Sequence, residues 1–174
     1  IDLCKTMGHK LVLVDSKEML DYLPDHDFIE KVSGRFPEET ADLLKRYTEK
    51  TDVILCYSVF HYIYAESNPF FFLDKAFALL KHGGEFLLGD IPNHSKRQRF
   101  FSSEAGIAFH KEFMKTDQPP EIDFMSIPAE KIDDGILFGM MQRARNAGLE
   151  SFLMPQPEKL PMANRREDLL FIRQ

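Results

Sequence analysis

The chain has little that could staple, anchor or ligate. Two cysteines, Cys4 and Cys56, among 174 residues cannot build a disulfide framework, which points to a reducing, cytoplasmic compartment. The longest apolar stretches, such as Pro69 to Leu73, fall far short of the ~20 residues a membrane span needs. No signal-peptide pattern opens the chain. Histidines at 9, 26, 61, 82, 94 and 110 lack metal-motif spacing such as H-E-x-x-H, and no C-x-x-C pair occurs, so no metal site is expected. Positive charge is in deficit, with 22 Lys+Arg against 28 Asp+Glu and a net charge of −6. That balance argues against nucleic acid or anionic lipid as a partner. An initiator methionine is also absent, the chain beginning Ile1-Asp2-Leu3.

What is present is the balance of a globular protein, 44% hydrophobic and 29% charged. The length suits one domain of roughly 100 to 200 residues, so residues 1–174 are expected to form a single domain, acting as a monomer or homodimer. Leu11-Val-Leu-Val-Asp15 is apolar at every position before its acid, the mark of a strand buried on both faces. Ser16 can cap a helix over Lys17 to Leu23, which Pro24 stops. Phe28 to Val32 is the next strand, Glu38 to Tyr47 a helix, and Val53 to Tyr57 a third strand followed by the aromatic-rich Ser58 to Ile63. A helix over Phe71 to Lys81 is expected to close at Gly83-Gly84, with a fourth strand from Glu85 to Ile91. This alternation predicts a doubly wound α/β fold, with a mostly parallel sheet and helices on both faces.

After Pro92 the pattern changes. A polar, basic stretch over 93–99 leads to a helix from Phe100 to Met114. Thr116 to Glu130, with Pro119, Pro120 and Pro128, reads as a loop or lid. A helix over Ile132 to Ala147 then precedes strands at Leu149 to Met154 and Asp168 to Ile172, which prolines 155, 157 and 161 separate.

Ligands of an open α/β sheet bind beyond the carboxyl ends of its strands. Asp15 stands at such an end and can accept two hydrogen bonds from a ribose diol, although an acid there also serves as a helix cap. Three stretches resemble the class I S-adenosylmethionine-dependent methyltransferases: Leu11 to Asp15, Thr51 to Ile63 with its Asp-Val-Ile and Phe-His-Tyr-Ile runs, and Leu73 to Asp90 with its Leu-Lys-His-Gly-Gly turn. The resemblance covers most of residues 1–91 and about 132–174, the latter forming the family's closing antiparallel hairpin. It implies S-adenosylmethionine as cofactor and a small-molecule methyl acceptor as partner. It places Asp15 on the ribose hydroxyls, Ser16 and Met19 beside the adenosine, and Cys56, Tyr57 and Ser58 against the methionine portion.

Gly34, Arg35 and Phe36 follow the third strand of the family pattern. Arg35 replaces the acid that usually meets the adenine amino group, which leaves adenine to backbone and Phe36. The family's first strand and glycine-rich loop are missing from the front, where Ile1 to Met7 resembles the tail of the following helix with Gly8 as its cap. The expectation is a segment preceding residue 1.

His61 is the candidate base for the accepting atom, with a packing role as the plainer alternative. Tyr62 and Tyr64 read as pocket wall. Asp90, Asn93 and His94 end the fourth strand of this chain and could meet the substrate, or stabilise a turn. Lys96 and Arg97, with Arg99, form the densest basic cluster, either a solvated helix start or a lure for an anionic acceptor such as a phosphorylated or carboxylated metabolite. The segment 93–131 is then a substrate-side insertion. Two other readings stay open. A dinucleotide-dependent oxidoreductase also uses an acid after its second strand, and a non-catalytic interaction protein could keep the fold without the cofactor.

Overall fold

The apolar run before Asp15 forms β1 (Leu11–Asp15), which follows α1 (Asp2–Met7) and its left-handed cap Gly8. The structure is a computed structural model that describes residues 1–126, 128 and 130–174. Ser16 accepts a hydrogen bond from the Met19 amide at 3.3 Å and starts α2 (Lys17–Asp21). β2 (Ile29–Ser33) pairs parallel with β1 and sets Ser33 opposite Asp15. α3 (Ala41–Tyr47) leads to β3 (Thr51–Tyr57), and α4 (Phe60–Glu66) and α5 (Pro69–Leu79) lead to β4 (Leu80–Pro92). α6 (His94–Phe101), α7 (Glu104–Met114), α8 (Asp134–Asn146), β5 (Leu149–Met154), a short 3-10 turn and β6 (Arg166–Arg173) complete the chain.

The fold is α/β with a mixed sheet flanked by helices. Among the described residues the strands form two groups, the parallel pair β1-β2 and a four-stranded sheet in the order β3-β4-β6-β5. β3 and β4 run parallel, and β6 lies antiparallel to both β4 and β5. Alternation sends Phe86, Leu88, Leu169 and Phe171 to one face of that sheet, where α4, α5 and α8 add Phe60, Leu73, Phe77, Leu137 and Met140. On the opposite face of β3, Val53 and Leu55 are exposed.

Several expected boundaries moved, each for a local reason. The helix ahead of β4 begins at Pro69, because Asn68 accepts from the Phe70 and Phe71 amides at 3.0 and 3.1 Å. It ends at Leu79 instead of at the glycine pair, and Gly83-Gly84 lie inside β4. Gly84 is there for closeness, since a Cβ would sit 2.9 Å from the carbonyl oxygens of both Lys81 and Thr51. Within the stretch 58–63, Phe60 opens a helix, α4. The single helix expected over Phe100 to Met114 is two, and the first opens earlier, where the Asn93 side chain caps the Lys96 amide. Ser103 ends the break by capping Gly106, whose missing side chain lets α7 cross α6. Residues 127 and 129 of the expected lid lie outside the described residues.

Two glycines make the packing testable. A Cβ on Gly106 would lie 1.9 Å from the Phe100 carbonyl oxygen, whereas nothing stands within 4 Å of one on Gly139 in α8. Gly106→Ala is therefore expected to destabilise by about 1–3 kcal/mol. Gly139→Ala should stabilise by about 0.5–1 kcal/mol through helix propensity. Urea unfolding of both variants checks the pair.

Candidate active site

Beyond the carboxyl end of β1 the Asp15 carboxylate is exposed, and one oxygen accepts from the Ser16 amide at 2.7 Å. Met19, one turn into α2, is exposed as well. Arg35 and Phe36, which follow Gly34 beyond the end of β2, both make contacts with later helices. Arg35 reaches Glu66 at the end of α4 at 3.6 Å, and Phe36 packs edge-on against Phe72 of α5 with ring centroids 5.4 Å apart. Those contacts tie the end of β2 to α4 and α5.

The ends of β3 and β4 meet in a tight polar corner. Cys56 faces the core, and burial pushes its thiol up to about 12, so it stays protonated. The Tyr57 ring lies across Gly89, where a Cβ would be 2.3 Å from it. Ser58 and Asp90 both hold left-handed backbone, at φ 62° and 58°. For non-glycine residues that conformation costs roughly 1 kcal/mol or more each. They are locked together, since the Ser58 hydroxyl donates to Asp90 at 2.6 Å and its amide donates to the Gly89 carbonyl at 3.0 Å. Asp90 also pairs with Arg166, and its amide donates to Asp168 at 2.7 Å.

His61, on the first turn of α4, rests against Tyr62 with ring centroids 4.0 Å apart, and its Nδ1 is buried without a partner. Burial, then the positive field of Arg166, lower its pKa below the ordinary 6.5, against a smaller opposing pull from Asp90. The imidazole is neutral at pH 7 and can accept a proton.

His61 opens onto a cavity of about 470 Å³ bounded by α4, the end of β4, α6 and the segment before β6. Tyr64, Asn93, His94 and Arg97 share its wall, whereas Tyr62, Asp90 and Lys96 do not. Asn93 is fully buried and occupied internally. Its amide group donates to Asp134 and Glu167 at 2.7 and 2.5 Å, while its carbonyl caps α6. Lys96 is likewise drawn inward, donating to the Arg166 carbonyl at 2.7 Å beside Glu167. His94 is held below its ordinary pKa by burial, then by Lys131 and Arg97.

The sequence reading missed Lys131, Arg165 and Arg166 on that wall. The signal was available for the last two: an arginine pair opening a final strand that runs antiparallel to β4. Pro92 faces Arg166 in that register, which delivers the start of β6 to the carboxyl end of β4. Among the described residues no group of three His, Cys, Asp or Glu is arranged to hold a metal ion, and no helix is long and apolar enough to cross a membrane.

No protein-family model and no curated protein sequence matches the chain. Solved structures do. A proposed O-methyltransferase of Nostoc punctiforme superposes with a TM-score of 0.57 at 16% identity, over 98% of this chain and 46% of that one. The plantazolicin methyltransferase, in complex with a triazolic analog and SAH, gives 0.57 at 10% identity over 98% of this chain and 70% of its own. An O-methyltransferase family 2 protein of Planctomyces limnophilus, in complex with apigenin, gives 0.52 at 15% identity over 99% and 46%. The chain thus spans about half the length of two of these three. It has the fold of the class I S-adenosylmethionine-dependent methyltransferases.

Proposed function

We propose that the protein transfers a methyl group from S-adenosylmethionine to a small-molecule acceptor that carries negative charge. The observation that carries this reading is the neutral His61 opening onto a cavity at the carboxyl ends of β3 and β4, within a methyltransferase fold. When bound, the cofactor supplies a methyl group activated by its sulfonium. Asp15 has the exposed carboxylate that a ribose diol requires, with Ser16 and Met19 beside it. Tyr57 and Ser58 present an aromatic ring and backbone at the next strand end, with Cys56 behind them, where a cationic sulfur is favoured. Adenine fits less well. Arg35 is turned to Glu66, and Phe36 packs against α5, so backbone beyond β2 is left to meet the base.

The chemistry asked of the protein is modest. In-line displacement at an activated carbon needs a held geometry and a base for the accepting atom. His61, which lines the cavity and is neutral at pH 7, takes that proton. Tyr62 and Tyr64 flank the base, Asp90 fixes Arg166 behind it, and His94 with the buried Asn93 forms the acceptor side. In this reading residues 1–174 act as one methyltransferase domain, and 93–131 is its substrate-side insertion, α6 supplying cavity wall. A cytoplasmic setting fits the two unpaired cysteines.

Calorimetric titration of the full-length protein with S-adenosylmethionine, S-adenosylhomocysteine and NAD tests the cofactor. Binding of the first two is expected. Asp15→Ala should weaken it tenfold or more, since hydrogen bonds to a charged group contribute about 1.5–3 kcal/mol each. Binding of NAD alone would indicate an oxidoreductase, and binding of none a non-catalytic protein. For the base, His61→Asn should lower kcat by about 10² to 10⁴ while leaving cofactor affinity unchanged. The wild-type rate should rise with pH along a limb lying below 6.5, because His61 must lose its proton to act and its pKa is lowered from that value. The variant's pH–rate profile should lack that limb.

A further inference from the structure

Two of the three cations of the basic cluster are paired, Lys96 with Glu167 and Arg99 with Asp134, and Arg166 nearby is engaged by Asp90. Three cations on the cavity wall have no carboxylate partner among the described residues: Arg97, Lys131 and Arg165. Glu130 shares that wall, and no ion pair joins it to them. Two of the three rest on one side chain. The Arg97 guanidinium lies 4.9 Å from the centroid of the Phe101 ring, and that of Arg165 lies 5.6 Å from the same ring and 5.6 Å from Phe109. An aromatic ring attracts a guanidinium without neutralising it. Two like charges are thereby held beside one another with their donors uncommitted. Burial, and then the neighbouring charges of Arg97 and Arg166, lower the Arg165 pKa from its ordinary value. Such an arrangement is costly without an anion and favourable with one, and a forked guanidinium matches carboxylate or phosphate oxygens.

We propose that Arg97, Lys131 and Arg165 form the seat of a carboxylate or phosphate group carried by the methyl acceptor. This rests on the methyl-transfer reading and adds the address of the anion. The acceptor is then bifunctional, its nucleophilic atom at His61 and its anionic group against α6, in one cavity of about 470 Å³.

Inorganic phosphate and benzoate, titrated separately at low ionic strength into the full-length protein without cofactor, probe the seat and distinguish the two anions. One or both should bind. Arg97→Gln and Arg165→Gln should each weaken the bound probe about tenfold, and Lys131→Gln by less. Lys45→Gln on α3, where the ammonium is exposed, should change nothing. Arg97 sits on the exposed side of α6, so its variant remains informative if Arg165→Gln fails to fold. Failure of both probes to bind the wild type, or binding by both arginine variants equal to that of the wild type, overturns the seat. Titrating S-adenosylmethionine into the same preparations separates the two readings. Cofactor binding with anion binding indifferent to the variants removes the seat alone. Anion binding at the three cations without cofactor binding supports the seat and removes methyl transfer.

Discussion

The antiparallel ladder between β4 and β6 is the constraint on which the rest of the molecule depends. β4 carries Phe86, Leu88 and Ile91, all fully buried, and β6 lays Leu169 and Phe171 beside them. The rings of Phe72, Phe77, Phe86 and Phe171 meet at centroid distances of 5.1 to 6.3 Å, so α5 is seated by the same two strands. Buried aromatic side chains remove much apolar area from water, and their edge-to-face contacts add direction to that burial. A parallel strand brings its last residues to the ligand end of a sheet. β6 runs the other way and brings its first ones, which is how Arg166 reaches Asp90.

Below the cavity the same ladder imposes a division among charges. Asn93, Glu167, Asp134, Lys96 and Arg99 form a hydrogen-bonded knot joining the end of β4, the start of α6, the start of α8 and β6. Burial raises the Asp134 pKa, but hydrogen bonds from Arg99 and Asn93 outweigh it and hold the carboxylate below its usual range. Charges removed from water persist when each finds such partners. The knot consumes two of the three cations that the sequence offered as a cluster. Arg97, the next residue along α6, is left facing the cavity.

Much of the frame was legible because it is local. The apolar runs at Leu11 to Val14 and Val53 to Cys56 declare strands, Ser16 declares the helix it caps, and three motifs in order declare the fold. The errors share a cause. The glycine pair at 83–84 has the chemistry of a helix cap, yet Gly84 serves a close backbone approach to Thr51, a residue distant in sequence. The split of α6 from α7 depends on Gly106 meeting Phe100, a contact that no periodicity announces.

By itself the sequence determined the order of elements, the acid after β1 and the histidine after β3, since each follows from residues within a few positions of one another. Only the tertiary structure decided which polar groups remain available. That choice depends on pairings such as Asp90 with Arg166 and Asn93 with Glu167, between residues more than seventy positions apart. Side-chain chemistry is written along the chain, whereas availability is what remains after the fold has satisfied its own buried groups.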